Sequence, residues 1–309
     1  MKEKPKLIVI LGQTATGKSD FAVEVAKLVR GEIISADSRQ VYKGMDLGTG
    51  KITKKEMKGV PHHLLDIVSP AKKIFSVSDF QKRAFKKIKE IISKNKTPII
   101  CGGTGFYIDS VVNGDIFPEV PPNKNLREEL AKKTAPQLFT MLKKLDIDRA
   151  KNIDENNKVR LIRAIEIAKA LGKVPPIKIS PRSNLGENKF EVLKIGLIFP
   201  PEILKERIYR RLLARIKIGM IKEIKDLHEK EKVSWKKLES FGLEYRHVAL
   251  YLQGKLTKEE MLEKLNSQIW HFAKRQKTWF KRDKNIIWIN PSKKADKAKA
   301  LKAVDKFLR

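Results

Sequence analysis

At 309 residues, 41% of them hydrophobic, the chain carries enough apolar material for a large core and one smaller module, which excludes a disordered polymer. Its 67 lysines and arginines against 36 aspartates and glutamates leave a net charge of +31; a small-metabolite enzyme has no need of this, and it suits a polyanionic partner, with a merely solvated lysine surface as the alternative. A single cysteine, Cys101, excludes an intrachain disulfide and a cysteine-based zinc site, and no stretch is long enough to span a bilayer.

Charged residues at the start precede an apolar run too short for a signal peptide, so a cytoplasmic protein is expected. That run, residues 6–11 (KLIVIL), reads as a buried strand, and residues 20–29 have helical spacing at Phe21, Val25 and Leu28. Between them lies Gly12-Gln13-Thr14-Ala15-Thr16-Gly17-Lys18-Ser19, which matches G-x-x-x-x-G-K-[ST]. Strand, glycine loop and helix form the context a phosphate loop needs. Backbone N–H groups from Gly12 to Gly17 can face an anion, the helix N-terminus adds its positive end, Lys18 adds a point charge, and the Ser19 hydroxyl suits Mg²⁺. The motif does not say which phosphate compound is held.

Residues 32–36 (EIISA) form a second expected strand, delivering Asp37-Ser38-Arg39-Gln40 at the carboxyl edge where parallel sheets bind ligands. Glycine-rich residues 41–51 and then 59–67 read as loop. Ser78 is the expected cap of a helix running to about residue 93, and 97–101 (TPIIC) is a third strand ending in Gly102-Gly103-Thr104-Gly105, followed by a helix. Residues 117–122 (FPEVPP) read as a linker, 126–171 as helices only, and 173–189 as a loop rich in Pro, Ser, Asn and Gly. Residues 192–199 return to strand. A long basic helix then covers about 202–231, with Arg207, Arg210, Arg211 and Arg215, and a helix pair follows. Residues 285–289 are a last strand and 293–308 a last helix. The expected fold is a P-loop NTPase-like, doubly wound parallel α/β core (1–117 and 190–309) interrupted by an all-helical insertion (118–189).

A nucleoside triphosphatase usually has a second apolar strand ending in Asp for Mg²⁺, and here that strand ends in Gly-Gly-Thr. The one carboxylate leaving a strand near the loop is Asp37, which could serve Mg²⁺, take a proton, or simply cap a turn. Thr104 faces the same crevice or caps a helix. His62 and His63 lack a matching ligand set and read as a hydrogen-bonding pair. Arg160 and Arg163 share a helix face, solvated or facing RNA. The run 272–282, FAKRQKTWFKR, mixes basic and aromatic residues and suits an RNA-facing surface, or a core for its aromatics.

In order along the chain, the loop at 12–19, DSRQVYKGMDLGTGK at 37–51, GVPHHLLDI at 59–67, GGTGFYI at 102–108, VRLIRAIEI at 159–167 and AKRQKTWF at 273–280 resemble the tRNA dimethylallyltransferases, or tRNA isopentenyl-adenosine synthases. The resemblance implies transfer of a dimethylallyl group from dimethylallyl diphosphate to the exocyclic amine of the adenosine 3′ of the tRNA anticodon. The loop (Gly12, Thr14, Ala15, Thr16, Gly17, Lys18, Ser19) would hold the diphosphate, with Mg²⁺ on Ser19 and Asp37. Asp37, Thr104 and Arg127 would be catalytic. Asp37, Ser38, Arg39, Gln40, Val159, Arg160 and Arg163 would touch tRNA, the insertion would clasp the anticodon stem-loop, and the protein would act as a monomer away from membranes. Two positions depart from the family's usual pattern: Trp270, where an arginine is common, and Glu244-Tyr245-Arg246, where Gly-Tyr with a basic residue is common. The competing readings are a small-molecule P-loop kinase, a prenyltransferase acting on free adenine nucleotides, and a non-enzymatic RNA-binding protein.

Overall fold

A computed structural model describes residues 4–71, 74–175 and 190–309. The chain divides into two compact units: Met1–Val112 with Asn188–Arg309, and Asn113–Glu187.

In the first unit, β1 (Lys6–Gly12) leads to α1 (Lys18–Leu28), β2 (Glu32–Ser35), α2 (Lys54–Met57), β3 (His62–His63), α3 (Val77–Ile92), β4 (Pro98–Gly102) and α4 (Gly105–Val112). The second unit contains α5 (Lys124–Ala131), α6 (Ala135–Leu145), α7 (Ile147–Lys151) and α8 (Lys158–Leu171). The first unit resumes with β5 (Glu191–Leu197), α9 (Pro201–Lys217), α10 (Met220–Glu229), α11 (Trp235–Ser240), α12 (Leu243–Leu252), α13 (Lys258–Phe280), β6 (Ile286–Ile289) and α14 (Lys294–Leu308).

Its strands form one parallel sheet in the order β3-β2-β4-β1-β5-β6. Central β1 explains the layering. Its residues alternate between faces, so Leu7, Val9 and Leu11 join one apolar layer while Ile8 and Ile10 join the other. The first layer is closed by α3 through Phe80, Ala84 and Ile88 and by α9 and α13; the second is closed by α1 through Phe21 and Val25 and by α14 through Ala300 and Val304. Each of the larger side chains among these, once fully buried, contributes about 1.5–3 kcal/mol, and each alanine less. Burial on both faces is why these strands read as continuous apolar runs. The second unit has its own core of Leu130, Leu138, Leu142, Leu161 and Ile165. The P-loop NTPase-like doubly wound sheet with a separate all-helical unit is thus the observed architecture.

Several local expectations need correction. The cap of α3 is Ser76, not Ser78: its hydroxyl accepts from Asp79 N–H while the Asp79 carboxylate accepts from Ser76 N–H, a reciprocal capping box. The stretch 202–231 is two helices, broken at Gly219 with φ +113°. Three helices, not a pair, precede β6. His62 and His63, expected in a loop, form the short edge strand β3, where His63 Nε2 lies 2.6 Å from Glu32 Oε2. The short helix α7 between Asp146 and Asn152 was hidden in a polar stretch. Of the expected loop at 173–189, residues 176–189 lie outside the described residues.

The order β4-β1-β5 places the phosphate loop at the carboxyl edge of the middle strand. β1 ends at Gly12 with φ +143°, and a Cβ there would meet Leu197 O of β5 at 2.4 Å. Gly12→Ala is therefore expected to cost about 3 kcal/mol or more through strain and clash. A thermal melt lowered by several degrees is the expected result; an unchanged midpoint would show that β1 and β5 can separate freely at this point.

Candidate active site

The phosphate loop connects β1 to α1. Gly17 (φ +81°) stands immediately before α1, and Ala15 is itself left-handed at φ +62°. This bends the chain around a hollow into which the unpaired N–H groups of the first turn of α1 point. Thr16 lies buried behind the loop, with its hydroxyl donating to Gln13 O at 2.8 Å. Lys18 Nζ donates to the same carbonyl at 2.6 Å. A cavity of about 570 Å³ opens in front, lined by Lys18, Ser19, Asp37, Gln40, Arg207 and Arg211 among others.

One wall is unusually cationic. Arg207, Arg211 and Arg215 are four apart on α9, so one helix face presents all three. Arg207 Nε donates to Ala15 O at 2.8 Å, and Arg211 Nη2 donates to the Thr14 hydroxyl. Arg215 lies 3.5 Å from Glu244. Burial pushes Lys18 down to about 8, with Arg211 adding to the fall. Burial, then the neighbouring Arg215, brings Arg211 down to about 9. Burial also raises the Glu244 carboxyl, against the pull of Arg215. These three arginines appeared in the sequence as part of a basic helix with no assigned role; their four-residue spacing was the available signal.

The opposite wall is the segment after β2. Asp37 Oδ1 accepts from Arg39 N–H at 2.8 Å and Gln40 N–H at 3.3 Å. Thr104 Oγ1 accepts from Ser38 N–H at 3.2 Å, while Thr104 N–H donates to Ala36 O. The ends of β2 and β4 are thereby tied, and Asp37 and Gln40 face the cavity. The Arg39 guanidinium stacks over Phe241 at 5.7 Å. The loop that follows is clamped by Glu223 of α10. Its carboxylate accepts from the N–H groups of Asp46, Leu47 and Gly48 and from the Tyr245 hydroxyl at 2.6–3.1 Å. Lys51, with a side chain 4% exposed, joins Asp46 and Asp66 at 2.5 Å each.

The run 272–282 presents two faces: Ala273, Gln276 and Phe280 are buried in α13, while Lys274, Arg275, Lys281 and Arg282 are exposed. Trp270 is half-buried and has Lys205 over its ring at 5.1 Å.

In the second unit, the Glu166 carboxylate is 1% exposed and gathers two arginines. Arg127 grips it through Nε at 2.9 Å and Nη2 at 2.8 Å, Arg163 Nη1 donates to it, and Asn123 N–H donates at 2.7 Å. Burial works upward on this carboxyl, but the hydrogen bonds from Arg127, Asn123 and Arg163 outweigh it and hold it at about 2. Arg163 also donates to Val120 O at 2.9 Å. Val159 is 79% exposed and Arg160 is exposed on the same helix, α8.

A glycine loop of phosphate-binding pattern, two arginines bonded to it and a carboxylate lining the same cavity define the core of a P-loop-type enzyme. Comparison with known proteins narrows the class. The family model IPP transferase matches residues 40–283. The chain is 47% identical over 292 residues to tRNA dimethylallyltransferase 2 of Treponema denticola, covering 94% of this chain and 96% of that protein. It is 42% identical to tRNA dimethylallyltransferase of Caldicellulosiruptor saccharolyticus, covering 93% of each. Among solved structures it resembles the tRNA isopentenylpyrophosphate transferase of Bacillus halodurans, with TM-score 0.73 and 35% identity over 99% of this chain and 97% of that one. It also resembles a eukaryotic dimethylallyltransferase acting on tRNA, with TM-score 0.80 and 25% identity over 97% of this chain and 78% of that one. The chain belongs to the IPP transferase family.

The depressed Lys18 gives the cavity a pH signature. An anion beside Lys18 favours its charged form, so binding near pH 8 takes up a proton. Affinity for pyrophosphate, corrected for the ligand's own ionisation, should be flat below that pH. Above it, affinity should weaken by about tenfold per pH unit. Calorimetry across buffers would read this, and Lys18→Ala should remove the break as well as most of the affinity.

Proposed function

We propose that the protein transfers a dimethylallyl group from dimethylallyl diphosphate to the exocyclic amine of the adenosine 3′ of the anticodon in tRNA, releasing diphosphate. The observation that carries this reading is the cavity itself, which Lys18, Arg207, Arg211 and Asp37 all line. The cations suit a departing diphosphate. The amine nitrogen attacks the allyl carbon, the carbon–oxygen bond to the diphosphate breaks with its electrons going to oxygen, and the nitrogen loses a proton to Asp37. Charge arising on the leaving group is met by donors already in place. Asp37 Oδ1 is engaged by backbone N–H groups, while among the described residues Oδ2 has no hydrogen-bond partner and is left to act as base. Thr104, held against Ser38, would position the base.

Ser19 and Asp37 line one cavity and carry hard oxygen donors, so they fit Mg²⁺ completed by phosphate oxygens and water, with the Ser19 hydroxyl as ligand and Asp37 acting through a bound water so that Oδ2 stays available as base. When bound, the metal would neutralise charge on the diphosphate. β4, beside β1, ends in Gly102 without a carboxylate, which counts against a nucleotide-dependent kinase.

Ser38, Arg39, Gln40, Val159, Arg160 and Arg163 are the proposed tRNA contacts, with the second unit on the anticodon stem-loop and Arg127 near the reacting base, which must leave its stack to react. The net charge of +31 supports an RNA partner. No helix among the described residues is long and apolar enough to cross a membrane. A cytoplasmic monomer is the state proposed.

The direct test is incubation with dimethylallyl diphosphate, Mg²⁺ and unmodified tRNA, followed by nucleoside mass analysis, with parallel arms containing free adenine nucleotides or ATP. Product on AMP without tRNA, or phosphate release from ATP, would replace the tRNA reading. Asp37→Asn keeps an Oδ1 acceptor for both backbone N–H groups, so the turn should survive. Single-turnover transfer should fall by about 10²–10⁴-fold, the usual worth of a general base. An unchanged rate would remove Asp37 from the chemistry.

Arg160 is exposed and free of the Glu166 pair, which makes it the cleaner probe of RNA contact than Arg163. Arg160→Ala should lower the log–log salt slope of tRNA binding by about 0.7–0.9 if it meets one phosphate. An unaltered slope would leave Arg160 as a solvated residue.

A further inference from the structure

Gln276 on α13 sits between the two halves of the site. Its Oε1 accepts from Thr14 N–H of the phosphate loop at 2.7 Å, and its Nε2 donates to Gly103 O at 2.9 Å. One turn earlier on the same helix, Ala273 O accepts from Gln13 Nε2 at 3.0 Å. Thr14 is thus held at both ends, by Gln276 at its N–H and by Arg211 at its hydroxyl. On the other side, Gly103 precedes Thr104, whose hydroxyl is bonded to Ser38 next to Asp37.

The glycines of the turn after β4 fit this arrangement. A Cβ on Gly103 would lie 2.3 Å from Gln276 Nε2, and one on Gly105 would lie 2.2 Å from the Trp279 ring. The turn is bare because α13 lies directly on it. Trp279 Nε1 fixes the contact by donating to Asp109 at 2.8 Å.

We propose that Gln276 is a positioning residue that sets the distance and angle between the anion-holding loop and the Asp37–Thr104 edge. Only a side chain that accepts at one end and donates at the other can satisfy Thr14 N–H and Gly103 O together, and the amide is the neutral group of that shape. Its neutrality matters, because a carboxylate here would face the Gly103 carbonyl and add negative charge behind the anion loop. Displacing one half of a site by about 1 Å can cost about 10²-fold in rate. Gln276 touches neither reacting atom, so its effect falls on alignment.

This inference rests on the proposed function, and the experiment separates the two. Gln276→Met keeps the volume and loses both hydrogen bonds; Gln276→Glu keeps the acceptor for Thr14 and loses the donor to Gly103. Pyrophosphate affinity, tRNA affinity, single-turnover transfer and thermal melting are measured for both variants and the unaltered protein. In Gln276→Met, pyrophosphate should bind about tenfold more weakly and transfer should slow by about 10²-fold. Its tRNA affinity and KM for tRNA should stay within about twofold, because no RNA contact is removed. Gln276→Glu should hold the loop but misplace the Gly103 edge, and so lose transfer as well. If Gln276→Met does not fold at the assay temperature, Gln276→Glu decides alone. A folded variant with unchanged transfer and pyrophosphate affinity overturns the positioning role. If the unaltered protein binds pyrophosphate but modifies no tRNA, the functional reading fails while the pyrophosphate comparison still judges Gln276.

Discussion

Buried positive charge without a matching carboxylate is the constraint on which the rest of this structure depends. Lys18 and Arg211 lie where desolvation disfavours their charged forms; Arg211 adds to the fall of Lys18, and Arg215 and Arg207 add to that of Arg211. The nearby carboxylates of Asp37 and Glu244 offset this only in part: Lys18 and Arg207 rest on backbone carbonyls, Arg211 on a hydroxyl, and among the described residues Arg215 alone of the four pairs with a carboxylate. A bound diphosphate would supply the missing negative charge, so stability given up by the free protein returns as binding and as stabilisation of the leaving group. Such an arrangement survives only if the framework is stiff. That explains the hydrogen bonds with no part in chemistry: Glu223 on three successive N–H groups, Lys51 between two aspartates, and Gln13 and Gln276 tying the loop to α13.

The second unit handles positive charge the opposite way. Glu166 takes two arginines onto one buried carboxylate, and their hydrogen bonds, with that from Asn123 N–H, hold its carboxyl well below the usual range. Removing either partner would leave buried charge exposed to a low dielectric, a large effect compared with a surface ion pair. Arg127 and Arg163 therefore have a structural function whether or not they also meet RNA, and each retains a side chain at least one-third exposed. Long-range attraction for a polyanion then falls mainly on exposed residues such as Arg160.

The sequence made the sheet legible where strands are buried on both faces, since β1, β2, β4, β5 and β6 stand out as apolar runs. The edge strand β3 has two residues, both histidines, and carries no such pattern. The phosphate loop and the Asp37 segment were legible because their chemistry depends on local order. The α9 arginines were not: an arginine at every fourth position describes a solvated face as well as a cavity wall, and only the packing of α9 onto the loop distinguishes them. The run around Gln276 serves two faces at once, and the sequence showed only one of them. Its basic residues Lys274, Arg275, Lys281 and Arg282 do stand on the exposed face, while Ala273, Gln276 and Phe280 between them dock on the core. Gly219 ends α9 and resets the chain, and a lone glycine in a basic helical stretch is a weak signal before φ is known.

The two readings of Asp37, turn cap and base, do not compete once the geometry is considered. A carboxylate has two oxygens, and the turn uses Oδ1 alone. Those two backbone bonds fix the rotamer, so the second oxygen is presented at a set angle without further support. A flexible carboxylate would have to be oriented at each turnover, and it would find nearby cations to pair with. Asp37 lies close enough to Lys18 and Arg211 to favour their charged forms. Holding Asp37 by its own backbone keeps it from collapsing onto them before an anion arrives. The cap is thus what allows an acid and a cluster of bases to face each other across a cavity without closing it as a salt bridge.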